Sequence, residues 1–203
     1  MILDYKLFID FIFPPSLDEL LIRRCQKLNN QESILADRTV ALCDYKNKYV
    51  KAAIHLNKFN GHRHSRNLLA GALHEYLNSH VKQTSLLLPV PLSRKRQRDR
   101  GYNQVEEVAR IACRDLENVI LVKDLLVKEK HTKPQTTLGK TDRLNNVKGT
   151  FAVGSVAKYN SLLKKYPIIL LDDVTTTGAT LAAARAELST LSPVSVICVA
   201  LAH

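Results

Sequence analysis

Hydrophobic positions recur first at helical spacing and then, from about residue 85, in short apolar runs separated by amphipathic stretches. Residues 1–13 are apolar except at breaks such as Asp4, Lys6 and Asp10, and read as a short helix stopped by Pro14 and Pro15. Ser16 opens a second helix, with Glu19 completing a capping box and Leu17, Leu20, Leu21 and Cys25 forming its apolar stripe. Residues 39–45 predict a first strand. Helical spacing follows over 48–59 and again over 65–81, the latter through Leu68, Leu69, Ala72 and Leu77 with Tyr76 beside them. Leu86, Leu87, Leu88, Pro89 and Val90 then form a run of the kind found in strands covered on both faces. A basic loop spans 93–101, and a helix starts near Asn103 with Val105, Val108, Ala109 and Ala112 on one side. Strands are predicted at 119–122, 168–171 and 194–201, and a helix at 179–191. Residues 128–149 are polar, basic and poor in aliphatics, which predicts a mobile excursion. Alternating strand and helix implies an α/β fold, a mainly parallel sheet flanked by helices. A short helical N-terminal extension over 1–38 precedes an α/β domain over 39–203.

Composition narrows the class without choosing a function. The 203 residues, 45% apolar, can bury a full core without covalent staples. Cys25, Cys43, Cys113 and Cys198 form no CxxC pair, so neither a zinc ribbon nor a disulfide framework is predicted, and buried reduced thiols are expected. The N-terminus lacks the basic start and unbroken apolar stretch of a signal peptide, and no run reaches the ~18 residues of a membrane span. A cytoplasmic protein is the expectation. Thirty Lys and Arg against nineteen Asp and Glu give a formal charge of +11. Such a balance favours anionic partners, whether nucleic acid, pyrophosphate or sugar phosphates. His55 lies on a helical pattern and is expected to be partly buried. His62, Arg63 and His64 read as surface loop, since no third ligand stands at helical spacing.

Candidate chemistry concentrates in one stretch. Ile168, Ile169, Leu170 and Leu171 lead directly into Asp172, Asp173, Val174, Thr175, Thr176, Thr177, Gly178, Ala179 and Thr180. A strand thus delivers two adjacent carboxylates to its C-terminal end, where open α/β sheets bind ligands. The following turn opens a helix, whose free N–H groups and positive dipole end suit a phosphate. Gly178 allows close approach of an anion, and Thr176, Thr177 and Thr180 can add hydroxyl donors. Carboxylates would repel a bare phosphate. They suit a phosphorylated sugar whose hydroxyls donate to Asp172 and Asp173. The rival reading, an acidic strand of a nucleotide hydrolase, requires a GxxxxGK[ST] loop, and the chain has none.

The run 168–180 resembles the 5-phosphoribosyl-1-pyrophosphate (PRPP) signature of type I phosphoribosyltransferases. Pro89-Val90-Pro91-Leu92 with Arg100-Gly101-Tyr102-Asn103-Gln104, and Gln135-Thr136-Thr137-Leu138 with Arg143-Leu144-Asn145-Asn146-Val147, are similar to motifs of the ComF family, phosphoribosyltransferase-like proteins tied to bacterial competence. The resemblance runs from about Val40 to Ala202. Phe13-Pro14-Pro15 resembles that family's entry into a zinc module, but the cysteine pairs are absent, so zinc is not carried over. The resemblance implies a type I phosphoribosyltransferase-like fold that binds PRPP with Mg²⁺ held through the ligand beside Asp172 and Asp173, and no metal motif of its own. It implies catalytic roles for Asp172, Asp173 and Arg100, and ligand contacts from Thr175, Thr176, Thr177, Gly178, Ala179 and Thr180. It sets residues 94–101 near pyrophosphate and makes 128–148 a closing loop, in which Lys133, Gln135, Arg143 and Asn146 reach the ligand. Purine-base members of the superfamily often carry an acid at the position of Thr176, whose hydroxyl has no useful pKa for that task. The acceptor is left open. So are a regulator that binds PRPP without turnover and a competence factor that binds single-stranded DNA or a helicase partner. The oligomeric state is also open, a homodimer included.

Overall fold

A computed structural model describes residues 14–128, 150–191 and 195–203. In chain order its helices are α1 (Leu17–Arg23), α2 (Lys48–Phe59), α3 (Arg63–His80), α4 (Arg94–Arg100), α5 (Gln104–Ala112), α6 (Val156–Leu163) and α7 (Ala179–Ser189). Its strands are β1 (Ser33–Ile34), β2 (Val40–Cys43), β3 (Ser85–Pro89), β4 (Val119–Leu121), β5 (Leu126–Lys128), β6 (Phe151–Val153), β7 (Ile168–Val174) and β8 (Val196–Ala202). Six strands form one sheet in the order β1-β2-β8-β7-β3-β4, parallel except for the β1–β2 pair. A separate antiparallel ribbon joins β5 to β6. This is the α/β architecture with a mainly parallel, helix-flanked sheet that the sequence predicts.

The apolar runs make sense once the sheet is built. Successive side chains of a strand point to opposite faces. Leu87, Ile169, Leu171, Val199 and Leu201 therefore enter one core with α2, α3 and α5, together with Ile22, Leu42, Leu69, Leu73 and Val108. Leu86, Leu88, Ile168, Leu170, Cys198 and Ala200 enter a second core on the other face with Leu163, Leu181, Ala184 and Leu188. Each fully buried Leu or Ile contributes roughly 1.5–3 kcal/mol. Both faces are thus sealed around the central strands β8, β7 and β3, leaving the strand ends for chemistry.

Helix starts follow the sequence closely. Ser16 Oγ accepts from Glu19 N (3.3 Å) while Ser16 N donates to Glu19 Oε2 (2.9 Å), the capping box expected there. Asn103 accepts from Val105 N and caps α5, and Asn47 accepts from Tyr49 N and caps α2. Several expectations are corrected. Residues 94–100 form a helix, not a loop: Ser93 accepts from Arg96 N at its start, and Gly101, at φ 76°, ends it in the left-handed conformation. Arg, Lys and Gln are good helix formers, so two caps suffice for a helix that buries none of its residues. Ile22 on α1 and Cys25 just after it face the core, whereas Leu17 and Leu20 point outward, 81% and 46% exposed. His55 is exposed, and its Nδ1 meets Asp18 Oδ2 at 2.7 Å. His62 N-caps α3 and His64 lies within that helix, its Nε2 2.9 Å from the Cys25 carbonyl.

Strands β1, β5 and β6 and helix α6 lack a clear pattern in the sequence, being short or polar-faced. The predicted helix at 1–13 and most of the excursion at 128–149 lie outside the described residues. All four cysteines are free thiols; Cys25, Cys43 and Cys198 are buried, and burial pushes the Cys43 thiol up to about 11. No helix among the described residues is long and apolar enough to cross a membrane.

Candidate functional site

Strand β7 runs three residues beyond its apolar part and carries Asp172 and Asp173 to the C-terminal edge of the sheet. Their carboxylates are first oriented locally. Asp173 N donates to Asp172 Oδ1, and Val174 N donates to Asp173 Oδ1, both at 2.8 Å. Asp173 Oδ2 then accepts from Gln104 Nε2 (2.9 Å) and lies 3.6 Å from Lys58 Nζ. Gln104 Oε1 in turn accepts from Arg100 Nη1 at 3.0 Å. A chain of contacts, Arg100–Gln104–Asp173–Lys58, therefore ties α4, α5 and α2 to the end of β7.

Asp172 is less well compensated. Burial, and after it the neighbouring charge of Asp173, push its carboxyl up to about 7. Lys128, at the end of β5, is a counter-charge that pulls it back down. Burial holds its ammonium below the usual lysine range, against the upward pull of Asp172. Its Nζ stands 5.0 Å from the centre of the Phe151 ring. A parallel bridge from Ser93 to Lys128 brings the start of α4 to the same place. The result is a pair of carboxylates ringed by cations that are each partly withdrawn from water.

The turn after β7 divides into two parts. Thr175 is buried, and its N–H completes the ladder to the Ala202 carbonyl (3.0 Å). Thr176 and Thr177 are exposed and Thr180 is half-buried. For the N–H groups of residues 176–181 the described residues supply no acceptor, and α7 has no side-chain cap. Those donors form the positive end of an eleven-residue helix. Gly178 adopts φ 72°, as a left-handed turn requires. The space left by its missing side chain is filled, because a Cβ added there would overlap Asp37 Oδ2 in the β1–β2 hairpin. Asp37 is itself held by Thr39, whose N–H (3.0 Å) and Oγ1 (2.9 Å) donate to it, and Arg185 Nη1 reaches its carbonyl at 3.4 Å.

The structure brings Asp172, Asp173, Arg100 and the turn 175–180 to one edge. Arg94, Lys95 and Arg98 stand exposed on α4. Lys133, Gln135, Arg143 and Asn146 lie outside the described residues. Four contributors carried no role in the sequence reading: Lys58, Gln104, Lys128 and Asp37. Gln104 ends the Arg100-to-Gln104 motif and was legible there; Lys58 and Asp37 lie far away in sequence and give no local signal. Among the described residues no group of three or more His, Cys, Asp or Glu could hold a metal.

No protein-family model matches the chain. Over 126 residues it is 33% identical to Competence protein F of Haemophilus influenzae, a match covering 62% of this chain and 53% of that protein. The matched stretch spans about half the length of that relative. A solved orotate phosphoribosyltransferase from Mycobacterium tuberculosis, in complex with Fe(III) dicitrate, aligns over 90% of this chain and 78% of its own, at 14% identity and TM-score 0.40.

Proposed function

We propose that this chain binds PRPP at the carboxyl end of β7 and, in the cytoplasm, transfers or senses its ribose 5-phosphate. One observation carries the reading: two carboxylates and a turn of unused N–H donors lie side by side at one strand end. The carboxylates accept from the ribose hydroxyls, and residues 176–180 donate to the 5-phosphate. Arg100, fixed by Gln104, faces the pyrophosphate. The site fits Mg²⁺ only as a passenger, since it offers hard oxygens but no cage of its own. Bound through the pyrophosphate, the metal would neutralise charge on the leaving group. Lys58 and Lys128 balance the carboxylates, and the half-buried edge limits water. Calorimetric titration with PRPP and Mg²⁺ tests binding, and a pyrophosphate-release assay across acceptors tests turnover. Absence of heat with PRPP at millimolar concentration overturns the reading.

A second reading has support in the cations of α4, the bulk of them exposed, and in the printed name of the relative. In it the chain is a competence factor whose basic face holds single-stranded DNA or a helicase partner. Tight single-strand binding without PRPP binding would favour it.

A further inference from the structure

Two of the side chains that meet Asp173 stand at helix ends. Lys58 lies in the last turn of α2, and Gln104 opens α5. Helix ends fray unless their free backbone groups find partners. We propose that Arg66 is a positioning residue: it clamps the end of α2 to the turn between α4 and α5, and so keeps Lys58 and Gln104 on Asp173. Its service to PRPP rests on the reading above.

Arg66 stands near the start of α3, at the positive end of an eighteen-residue helix, where a cation is disfavoured. Its guanidinium is spread over three neighbouring segments. Nε donates to Asn57 Oδ1 on α2 (3.3 Å), and Nη2 donates to the Gly61 carbonyl between α2 and α3 (3.3 Å). Nη1 stands 3.6 Å from Glu107 Oε2 on α5, and Cζ lies 5.3 Å from the centre of the Tyr102 ring. A planar fork can serve these directions at once, whereas an ammonium on a single stem cannot.

Asn57 is 1% exposed, and both ends of its amide are committed. Oδ1 accepts from Arg66, while Nδ2 donates to the Gln104 carbonyl at 3.4 Å. Its own carbonyl is one of the last four of α2, which lack intrahelical donors, and it accepts from Tyr102 Oη at 2.6 Å. Arg66, Asn57 and Tyr102 thus join residue 57, next to Lys58, to residues 102 and 104. Gly61, at φ 60°, lets the chain turn closely beside the clamp, since a Cβ there would stand 3.3 Å from Tyr102 Oη. Without the guanidinium, Asn57 Oδ1 becomes a buried acceptor that has lost its donor. The end of α2 and the start of α5 are then free to part. Lys58 and Gln104 would leave Asp173, and Arg100 would lose the partner that orients it.

The test compares Arg66→Met and Arg66→Lys with Leu188→Ala, a core truncation on the face of the sheet away from α3, as the comparator for lost stability alone. The side-chain amide signals of Gln104 and Asn57, followed by NMR in the unliganded full chain, report the clamp directly. Calorimetry with PRPP and Mg²⁺, and with ribose 5-phosphate, reports what it does for the site. We expect Arg66→Met to move the Gln104 amide signal toward that of an exposed glutamine. It should also lower PRPP affinity about tenfold or more, with a smaller loss for ribose 5-phosphate, which does not need Arg100. Arg66→Lys keeps the charge without the fork, and it tests the clamp even where Arg66→Met does not fold. It should recover neither the signal nor the affinity. Leu188→Ala should melt at a lower temperature yet keep the Gln104 signal and hold PRPP affinity within about twofold, because the sites are distant. Unchanged Gln104 signals in the Arg66 variants overturn the proposal. So does a Leu188→Ala protein that reproduces their changes at an equal fall in melting temperature. A displaced Gln104 signal in a chain whose wild type gives no heat with PRPP would keep the clamp and remove the PRPP reading.

Discussion

Asp172 and Asp173 follow one another on a strand yet meet different surroundings, which gives each its own test. Asp173 is bonded to Gln104 and close to Lys58, whereas Asp172 faces burial and a like charge. Its carboxyl stands near 7 in the fold against 3.8 ordinarily. The native state therefore binds more protons than the unfolded chain between those values, and stability falls as pH rises through that window. Relative to Asp172→Asn, the unliganded wild type should lose on the order of 1–2 kcal/mol between pH 4 and pH 8. Paired denaturant titrations across that range check this, and parallel curves would remove the buried-carboxyl assignment. The same variant should bind PRPP about ten- to a hundredfold more weakly, the worth of a charge-assisted hydrogen bond at roughly 1.5–3 kcal/mol. Gly178 poses a different problem. Any side chain there meets positive φ, at about 1–2 kcal/mol, and also Asp37. Gly178→Ala should therefore be less damaging in an Asp37→Gly background, with a coupling of about 1 kcal/mol or more in a double-mutant cycle. Additive losses would mean that the hairpin moves aside freely.

Helix α4 shows how an element can be invisible to hydrophobic periodicity and still be specified. It has no apolar stripe, so pattern reading makes it a loop, but Ser93 and Gly101 cap a run of good helix formers. Its effect at this scale is to hold Arg100 half-buried against Gln104 and leave Arg94, Lys95, Arg96 and Arg98 in water. Arg100→Ala should lower affinity for PRPP at least tenfold and leave ribose 5-phosphate, which lacks pyrophosphate, nearly unchanged. Ser93→Ala removes the cap, at about 1 kcal/mol of helix stability. Since α4 buries no residue, that loss should appear as a smaller decrease in PRPP affinity and not as a lower global unfolding midpoint. Calorimetry of both variants with both ligands, beside their thermal melts, decides it. A large fall in midpoint for Ser93→Ala would show that α4 is coupled to the core.

Across the whole molecule, an excess of eleven positive charges and a pair of carboxylates at one sheet edge make two anions compete. If α4 tracks single-stranded DNA, log affinity should fall with log salt by about 0.7 for each phosphate neutralised. Replacing Arg94, Lys95, Arg96 and Arg98 by Ala should then flatten that slope by about 3. PRPP with Mg²⁺ should displace part of the bound DNA, since Arg100, assigned to the pyrophosphate, stands on the same helix as those exposed cations. Fluorescence-anisotropy competition at several salt concentrations measures this, and complete independence of the two ligands would separate the surfaces.

The sequence alone determined what depends on neighbours along the chain. The capping box at Ser16, the helix start near Asn103, the helical stripe of 48–59, the apolar runs of β3 and β7, and the Asp172-to-Thr180 turn are all local patterns, and the fold keeps them. Some readings failed for the same reason: α1 turned its Leu17 and Leu20 outward, and His55 went to the surface, because which face of a helix is buried depends on what it packs against. Only the tertiary structure decided that Lys58, Gln104 and Lys128 gather around the carboxylates, that Asp37 seats itself against Gly178, and that Arg66 reaches Asn57 and Tyr102. Gln104 and Asp173, for one such pair, stand 69 positions apart in the chain. No periodicity records them, since they follow from sheet order and from the charge and space left at one strand end.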